Sequence, residues 1–200
     1  MIISEIKKIT KGIVLEDEPM SEHTSYGIGG KVLAYIRPYD RPDLIRIIKL
    51  INKHKAKLYF VGSGSNLLVN DKNIRSFVIT PAKALKSLNI DKNIIIAESG
   101  VMLGKIVKKA VTHRLTGLET LVGVPGTLGG ALIMNAGAFG SEISEHHANF
   151  FINHGNAKAA DIASLIRLSR KTIYEKFGIM LELEIKTIGF NKSELYPYAN

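Results

Sequence analysis

Residues 120–141 carry no charged side chain, and this stretch constrains the chain more than any other feature of the sequence. It is long enough to cross a bilayer as a helix, but Pro125 and six glycines disfavour a helix buried in lipid. The first eight residues contain charges, and no apolar run typical of a signal peptide follows them. We therefore expect a soluble, cytoplasmic chain without a membrane segment.

The composition excludes several kinds of chemistry. A chain of 200 residues has room for one or two domains with a sizeable core. Because it contains no cysteine, it forms no disulfide and offers no thiolate nucleophile or cysteine-based metal site. His146 and His147 are adjacent, and neither HExxH nor His-x-His occurs, so we expect no metal site.

The net charge of +9 favours an anionic ligand over nucleic acid. The lysines are spread along the chain without a basic block, aromatic residues make up only 7%, and no RNA-stacking motif is present. We therefore predict no nucleic-acid partner, and we interpret the charge as a solvated surface that also attracts a negatively charged ligand.

Helical and strand patterns alternate along the first half of the chain. Isoleucines at positions 2, 6, 9 and 13 predict a short amphipathic helix, and the alternation over residues 31–38 predicts a strand. Asp40 is expected to cap a second helix, with Pro42 in its first turn. Two more strands are predicted at residues 57–61, which should be buried, and at residues 76–80. The buried stripe of the second helix is expected to consist of Leu44, Ile45, Ile48 and Ile51.

The second half continues the alternation. A strand is predicted at residues 93–99, a helix at 101–115 and a further strand at 150–153. Another helix should cover residues 157–177, and a last strand residues 181–189. We expect Asn156 to cap the later helix and Gly178 to follow its end. The face of the earlier helix should carry Leu103, Ile106, Val107, Ala110 and Val111. Such interleaving indicates an α/β or α+β protein.

A short glycine–serine loop, GSGSN at residues 62–66, directly follows a predicted strand. Its glycines allow the main chain to approach a ligand, and consecutive N–H groups can then converge on an anion. Ser63, Ser65 and Asn66 add side-chain donors. The sequence is neither a Walker A motif nor a Rossmann fingerprint, so a flexible turn between strands is the alternative.

A second glycine-rich segment covers residues 123–140. Pro125 fixes its own φ angle, while Gly123 and Gly126 give the backbone on either side more conformational freedom. The chain can therefore fold tightly against a ligand. Thr127 is expected to cap a following helix whose amino terminus favours phosphate. The alternative is a tight helix–strand crossing that needs small residues. Two such loops together favour a ligand with two phosphates.

Four carboxylates are candidates for chemistry, namely Glu98, Glu119, Glu182 and Glu184. Glu182 and Glu184 would share one face of the last strand. The alternative for this pair is an exposed face that pairs with Lys186. His23 lies beside Thr24 and can contact a ligand or serve only as a loop residue.

Three segments resemble a known family. HTSYGIGG, FVGSGSNLLVND and GLETLVGVPGTLGGALIMNAGAFGSEI are similar to the FAD-binding half of the UDP-N-acetylenolpyruvoylglucosamine reductase family, also called UDP-N-acetylmuramate dehydrogenases. This family has the vanillyl-alcohol-oxidase type of FAD-binding fold. Residues 146–189 resemble its C-terminal end. The resemblance covers residues 18–189 and implies an α+β fold with two small α/β lobes around FAD.

The resemblance also implies the site and its chemistry. The expected activity is transfer of hydride from NADPH through FAD to an enolpyruvyl UDP-sugar, a step of peptidoglycan synthesis that serves cell shape and division. Glu184 matches the family's catalytic glutamate. The implied FAD-binding residues are Gly62, Ser63, Gly64, Ser65, Asn66, Leu67, Gly123, Val124, Pro125, Gly126, Thr127, Gly129, Gly130, Asn135, Gly137, Ala138 and Gly140.

The chain departs from the family in one place. It contains neither the YR-x-S segment with the family's arginine nor the GS-x-FKNP-like segment with its proton-donating serine. About a hundred residues are missing near positions 141–145, and we predict an internal deletion there. The expected organisation is a first lobe at 1–85, an incomplete second lobe at 86–144, and at 145–200 a strand–helix–strand remnant of the substrate domain.

We therefore expect an FAD protein of this family that is impaired as an enzyme. The alternatives are a non-catalytic FAD-binding module and a degenerate remnant. The incomplete lobe would expose a sheet edge through which the chain could associate with itself.

Overall fold

The computed structural model describes residues 2–134, 136 and 157–197. These residues divide into two compact units. The first contains residues 2–18, 33–65, 75–134 and 136, and the second contains residues 19–32, 66–74 and 157–197. Both helices and strands are present, which confirms the predicted mixed α+β class.

The elements of the described chain follow one another in this order: α1 Ile2–Ile9, β1 Ile13–Pro19, β2 Lys31–Arg37, α2 Arg41–Lys53, β3 Leu58–Phe60, β4 Leu67–Val69, β5 Ile74–Ile79, β6 Leu88–Asp91, β7 Ile94–Ala97, α3 Leu103–Thr112, α4 Leu128–Ile133, α5 Ala159–Phe177, β8 Lys186–Ile188 and α6 Lys192–Leu195. Short 3-10 turns occupy Met20–His23 and Glu119–Leu121. Ile13 was expected to continue the first helix but instead begins β1.

A four-stranded sheet in the order β1–β2–β5–β3 forms the base of the first unit. Strand β3 runs parallel to β5, with Leu58 opposite Phe77 and Phe60 opposite Ile79. Helices α1 and α2 pack on this sheet through Ile6 and Ile47, which are fully buried. We predicted a buried strand at β3, but Phe60 is 54% exposed because β3 is the edge strand of the sheet.

Helix α2 begins as the sequence predicts. Asp40 is its N-cap and accepts a hydrogen bond from the Asp43 N–H at 2.8 Å, and the proline lies in the first turn. The prediction of the buried stripe was partly wrong, since Ile45 is exposed and Ile47 is buried in its place. The stripe therefore follows the spacing of Leu44, Ile47 and Ile51, with Ile48 partly buried at its border.

An antiparallel hairpin of β6 and β7 also belongs to the first unit, and β6 was not predicted. The side chains of Ile95 and Ala97 pack against a small core that contains Ile106 of α3. Val111 was expected on the buried face of α3 but is 65% exposed. The helix is shorter than predicted at both ends.

The second unit is built on a parallel pair of strands, β4 and β8, which helix α5 covers. The predicted last strand at 181–189 is reduced to Lys186–Ile188. Gly178 ends α5 with a φ of 70°, as expected. The N-cap of α5 is Lys158, whose N–H donates to Asp161 at 2.8 Å, while Asn156 and the predicted strand at 150–153 lie outside the described residues.

Over the described ranges, every helix is too short or too polar to traverse a bilayer.

Candidate functional site

The GSGSN loop leaves the sheet of the first unit at the carboxyl end of two parallel strands. The N–H of Val61 donates to the carbonyl of Ile79 at 2.9 Å, which extends the pairing of β3 and β5 by one residue. The Thr80 hydroxyl then donates to the carbonyl of Gly62 at 3.4 Å. Loops at this edge of a parallel sheet commonly hold ligands. Gly64 has a φ of 72°, a conformation that glycine adopts most readily.

The second glycine-rich segment is held by main-chain bonds to the residues that precede and begin α3. Leu103 N–H donates to the Gly126 carbonyl at 2.9 Å, and Gly129 N–H donates to the Ser99 carbonyl at 2.8 Å. Gly126 has a φ of 124°, which L side chains rarely adopt. Thr127 caps α4 as predicted by accepting from the Gly130 N–H at 3.4 Å. Helix α4 has only six residues, so we assign no phosphate-binding role to its dipole.

The two loops meet within the first unit. A Cβ at Gly62 would overlap the hydroxyl oxygen of Thr127, and a Cβ at Gly126 would lie 3.2 Å from Ser65 Oγ. The Ser65 hydroxyl donates to the carbonyl of Pro125 at 3.4 Å. Glycine is therefore needed on both sides of this contact. We call the main-chain and hydroxyl groups of residues 62–65 and 125–127 that meet here the cradle.

Unused donors line the first loop. None of the main-chain N–H groups of residues 62–66 donates to an acceptor among the described residues. The Ser63 hydroxyl donates to Ser65 Oγ at 3.3 Å and the Ser65 hydroxyl to the Pro125 carbonyl, and because a hydroxyl rotates, either can turn its proton to a ligand. Phosphate oxygens are bound by such sets of consecutive free N–H groups and hydroxyls. Neither described loop segment contains a carboxylate that would repel the phosphate. These residues therefore fit a phosphate-bearing ligand.

Four of the candidates lie in the second unit, namely Asn66, Leu67, Glu182 and Glu184. Asn66 donates from Nδ2 to the carbonyl of Glu184 at 3.1 Å, and Lys186 N–H donates to the Asn66 carbonyl at 3.2 Å. Leu67 is buried in β4, so only its main chain is available to a ligand. Glu182 and Glu184 are both exposed, but they precede β8 rather than sharing a strand face.

Some predicted residues cannot be placed in the cradle. Asn135, Gly137, Ala138 and Gly140 lie outside the described residues, as do the adjacent histidines and the predicted deletion near positions 141–145. Val124 is partly buried and packs against the small core of α3. Gly123 has a φ of 83° and an open environment, and Gly130 lies beside the Thr127 hydroxyl.

Two residues near the cradle were not predicted. Ser99 accepts the Gly129 N–H, and a Cβ at Gly129 would lie 2.9 Å from the Ser99 Cβ. The Thr80 hydroxyl donates a hydrogen bond to the Gly62 carbonyl of the first loop. Thr80 directly follows β5 and Ser99 lies two residues after β7, and small polar residues just after strand ends are the signal that could have indicated them.

The other candidate carboxylates have structural roles. Glu98 accepts hydrogen bonds from the Arg41 guanidinium and from the Ser87 N–H, the latter at 2.6 Å, and these hold its pKa below the ordinary value. Glu119 accepts from the Gly117 N–H at 2.6 Å. Within the described ranges, no three histidine or carboxylate side chains come together as a metal site.

Comparison with known proteins places this chain in a family. A model of the FAD-binding domain family matches residues 32–153, and a model of the C-terminal domain of UDP-N-acetylenolpyruvoylglucosamine reductase matches residues 123–188. The fold also resembles alkyldihydroxyacetonephosphate synthase, with a TM-score of 0.52 and 18% identity over 68% of this chain and 29% of that one.

Several curated relatives carry the reductase name. The protein from Alkaliphilus oremlandii is 37% identical over 182 residues, which are 90% of this chain and 60% of the relative. The protein from Chloroherpeton thalassium is 26% identical over 304 residues, which are 95% of this chain and 98% of the relative.

The lengths of these matches differ. This chain spans about 60% of the Alkaliphilus protein. In the Chloroherpeton match, 95% of a 200-residue chain is about 190 residues, so more than a hundred of the 304 positions have no counterpart here. Both ends of the relative are nevertheless reached. The chain belongs to the FAD-binding domain family and has the FAD fold of the UDP-N-acetylenolpyruvoylglucosamine reductase type.

Proposed function

We propose that this protein binds FAD in the cradle between its two glycine-rich loops. The observation that carries the proposal is the meeting of Gly62 with Thr127 and of Ser65 with Pro125, beside main-chain N–H groups that have no acceptor among the described residues. A pyrophosphate needs several donors and close approach of the main chain, and this cradle offers both.

Within the proposal, each loop has its own part. The N–H groups of residues 62–65 and the hydroxyls of Ser63 and Ser65 hold phosphate oxygens. Gly126 keeps the space beside Ser65 open, and the Thr127 hydroxyl fixes the start of α4. Asn135, Gly137, Ala138 and Gly140 remain predicted FAD contacts. When bound, FAD supplies the redox chemistry.

The reaction that fits the family is the NADPH-dependent reduction of UDP-N-acetylglucosamine enolpyruvate to UDP-N-acetylmuramate, in the cytoplasm and for peptidoglycan synthesis. Glu184 is the only residue of this chain to which the resemblance gives a catalytic role, and its side chain is exposed. The serine that should donate a proton and the arginine that should stabilise charge have no counterpart in the sequence.

We further propose that this chain turns over that substrate slowly or not at all. Loss of a positioned general acid typically lowers a rate by about 10²–10⁴-fold. More than a hundred positions of the Chloroherpeton relative have no counterpart here, and a UDP-sugar pocket needs residues to line it. This observation favours the second candidate function, a non-catalytic FAD-binding module.

The decisive experiment is titration of the purified full chain with FAD, followed by flavin fluorescence. We expect saturable binding of one FAD. Gly126→Ala should weaken the affinity at least tenfold, because its Cβ would contact Ser65 and Ser63 at 3.2 and 3.6 Å. Gly117→Ala is the matched control, since Gly117 also has a left-handed φ, of 100°, but no atom lies within 4 Å of its Cβ.

Each result has a defined meaning. Both variants carry comparable backbone strain, so a loss of affinity confined to Gly126→Ala identifies the cradle. Absence of FAD binding by a wild-type chain that circular dichroism shows to be folded would contradict the proposal. If FAD binds, anaerobic addition of NADPH tests the electron donor, and assay with the enolpyruvyl UDP-sugar distinguishes the reductase from the non-catalytic module.

Self-association is a further part of the proposal. Within the described part of the chain, β6 and β7 pair only with each other, and Ile94 and Ile96 of β7 are 58% and 61% exposed. A two-stranded sheet with an exposed apolar side is suited to pairing with a second copy.

A further inference from the structure

A buried arginine lies in the core of the second unit. Arg170 is on the face of α5 that also carries Ile162 and Ile166, and only 2% of its surface is exposed. Its guanidinium carbon lies 3.8 Å from the centroid of the Tyr196 ring. The side chain is therefore in a place where apolar residues are usual and a charge is rare.

Two nitrogens of this guanidinium have no hydrogen-bond partner in the part of the chain that the structure describes. They are Nε and Nη1, and both are buried. A buried cation normally finds a carboxylate, and the carboxylates along α5 and α6 are engaged elsewhere. Asp161 accepts from Lys158 N–H, Glu175 pairs with Lys171 and Glu194 accepts from Asn191 N–H.

The environment of Arg170 favours an anion. A buried charge without a counter-charge is unfavourable, and stacking on one aromatic face offsets only part of that penalty. Arg167 and Lys192 are exposed cations on the same two helices and add to the positive potential. Tyr196, whose ring stacks on the guanidinium, is itself only partly buried, so solvent reaches the residue that covers this face of Arg170.

We propose that Arg170 binds an anionic oxygen of a small ligand, either a phosphate or a carboxylate, beneath Tyr196. Nε–H and Nη1–H donate to the ligand, and the ring of Tyr196 covers one face of the guanidinium. Charged oxygens are the strongest acceptors for such donors. The proposal does not depend on FAD binding, because no residue of the cradle contributes to this site.

Thermal unfolding of the full chain tests the proposal. The probes are inorganic phosphate and acetate, each compared with chloride at equal ionic strength. We expect the melting temperature to rise by about 3–5 °C for each tenfold increase in the binding anion above its dissociation constant. A response to phosphate alone identifies a phosphate ligand, and a response to acetate identifies a carboxylate ligand.

Arg170→Met should abolish this response, because methionine fills much of the volume without a donor. The matched control is Arg167→Met, which removes an exposed arginine from the same helix and should keep the response. Equal anion responses in the wild type and Arg170→Met would overturn the proposal, as would absence of any response in the wild type.

Nuclear magnetic resonance of the arginine side chains provides a readout that does not depend on folding of the methionine variant. The Nε–H signal of Arg170, assigned by its loss in Arg170→Lys, should shift during titration with the active anion. The Nε–H signal of Arg167 should remain unchanged. An Arg170 signal that does not move with either anion would contradict the site.

Discussion

The hydroxyl of Thr127 occupies the space that a side chain at position 62 would need, although 65 residues separate the two positions. Thr127 is buried and caps α4, so its hydroxyl is not free to rotate away without loss of the cap. Gly62 is held by its carbonyl, which accepts from Thr80. This contact joins the first glycine-rich loop to the second.

Gly62→Ala should therefore weaken FAD binding at least tenfold, because the new Cβ forces the two loops apart. Gly104→Ala is the control, since Gly104 lies in α3 with no atom within 4 Å of its Cβ, and alanine favours a helix. Fluorescence titration with FAD measures the effect. Equal affinities for the two variants would show that the loop contact does not form the FAD site.

The stability of the first unit should depend on Asp43, which is fully buried. Its carboxylate accepts from the Thr10 hydroxyl at 2.8 Å and from the Tyr39 N–H at 2.9 Å. Asp43→Ala leaves these donors unpaired and should lower the free energy of unfolding by about 2–4 kcal/mol. Urea denaturation measures the change, and Asp91→Ala, at an exposed carboxylate, should have little effect. A small effect of Asp43→Ala would mean that water replaces the lost acceptor.

The same carboxylate predicts a pH dependence. Burial alone would raise the pKa of Asp43, but hydrogen bonds from Tyr39, Thr10, Lys11 and Arg46 hold it below its ordinary value. Such a group stabilises the fold above its unfolded pKa of about 3.9, and the contribution is lost as the pH falls through the lower folded pKa. Wild-type stability should therefore fall more steeply than that of Asp43→Asn on acidification below about pH 4. Parallel profiles from urea denaturation at each pH would contradict this assignment.

Self-association can be tested at the hairpin of β6 and β7. The double variant Ile94→Thr/Ile96→Thr keeps β-branched residues in β7 but removes much of its exposed apolar surface, so it should shift the chain toward monomer. Val111→Thr is the control, because Val111 is 65% exposed on α3 outside the hairpin. Sedimentation equilibrium over a range of concentrations measures the shift. A wild-type chain that remains monomeric at all concentrations would exclude this surface as an interface.

The features that could be predicted from the sequence are those that local chemistry decides. Asp40 and Thr127 cap their helices because their side chains reach an N–H three residues later. Gly178 ends α5 because glycine readily adopts a positive φ. The binding of a two-phosphate ligand by the two glycine-rich loops, which rests on the close approach that small residues allow, stays a prediction.

The features that were missed depend on distant parts of the chain. Ile45 and Ile47 are both apolar, and only the packing of α2 on the sheet decides that Ile47 is buried. Phe60 is exposed because its strand is at an edge, which is a property of the whole sheet. The bond from Asn66 to the Glu184 carbonyl joins residues 118 positions apart, and no local pattern indicates it.

Glu184 provides the test of the catalytic part of the proposal. Its carbonyl, rather than its carboxylate, accepts the bond from Asn66, so Glu184→Gln should leave the fold and FAD affinity unchanged. Because the chain lacks the family's serine and arginine segments, the variant and the wild type should both show negligible turnover of the enolpyruvyl UDP-sugar with NADPH. Glu182→Gln, at the neighbouring exposed carboxylate, is the matched control. Measurable wild-type turnover that Glu184→Gln removes and Glu182→Gln retains would instead establish an active reductase in which Glu184 carries the catalytic role.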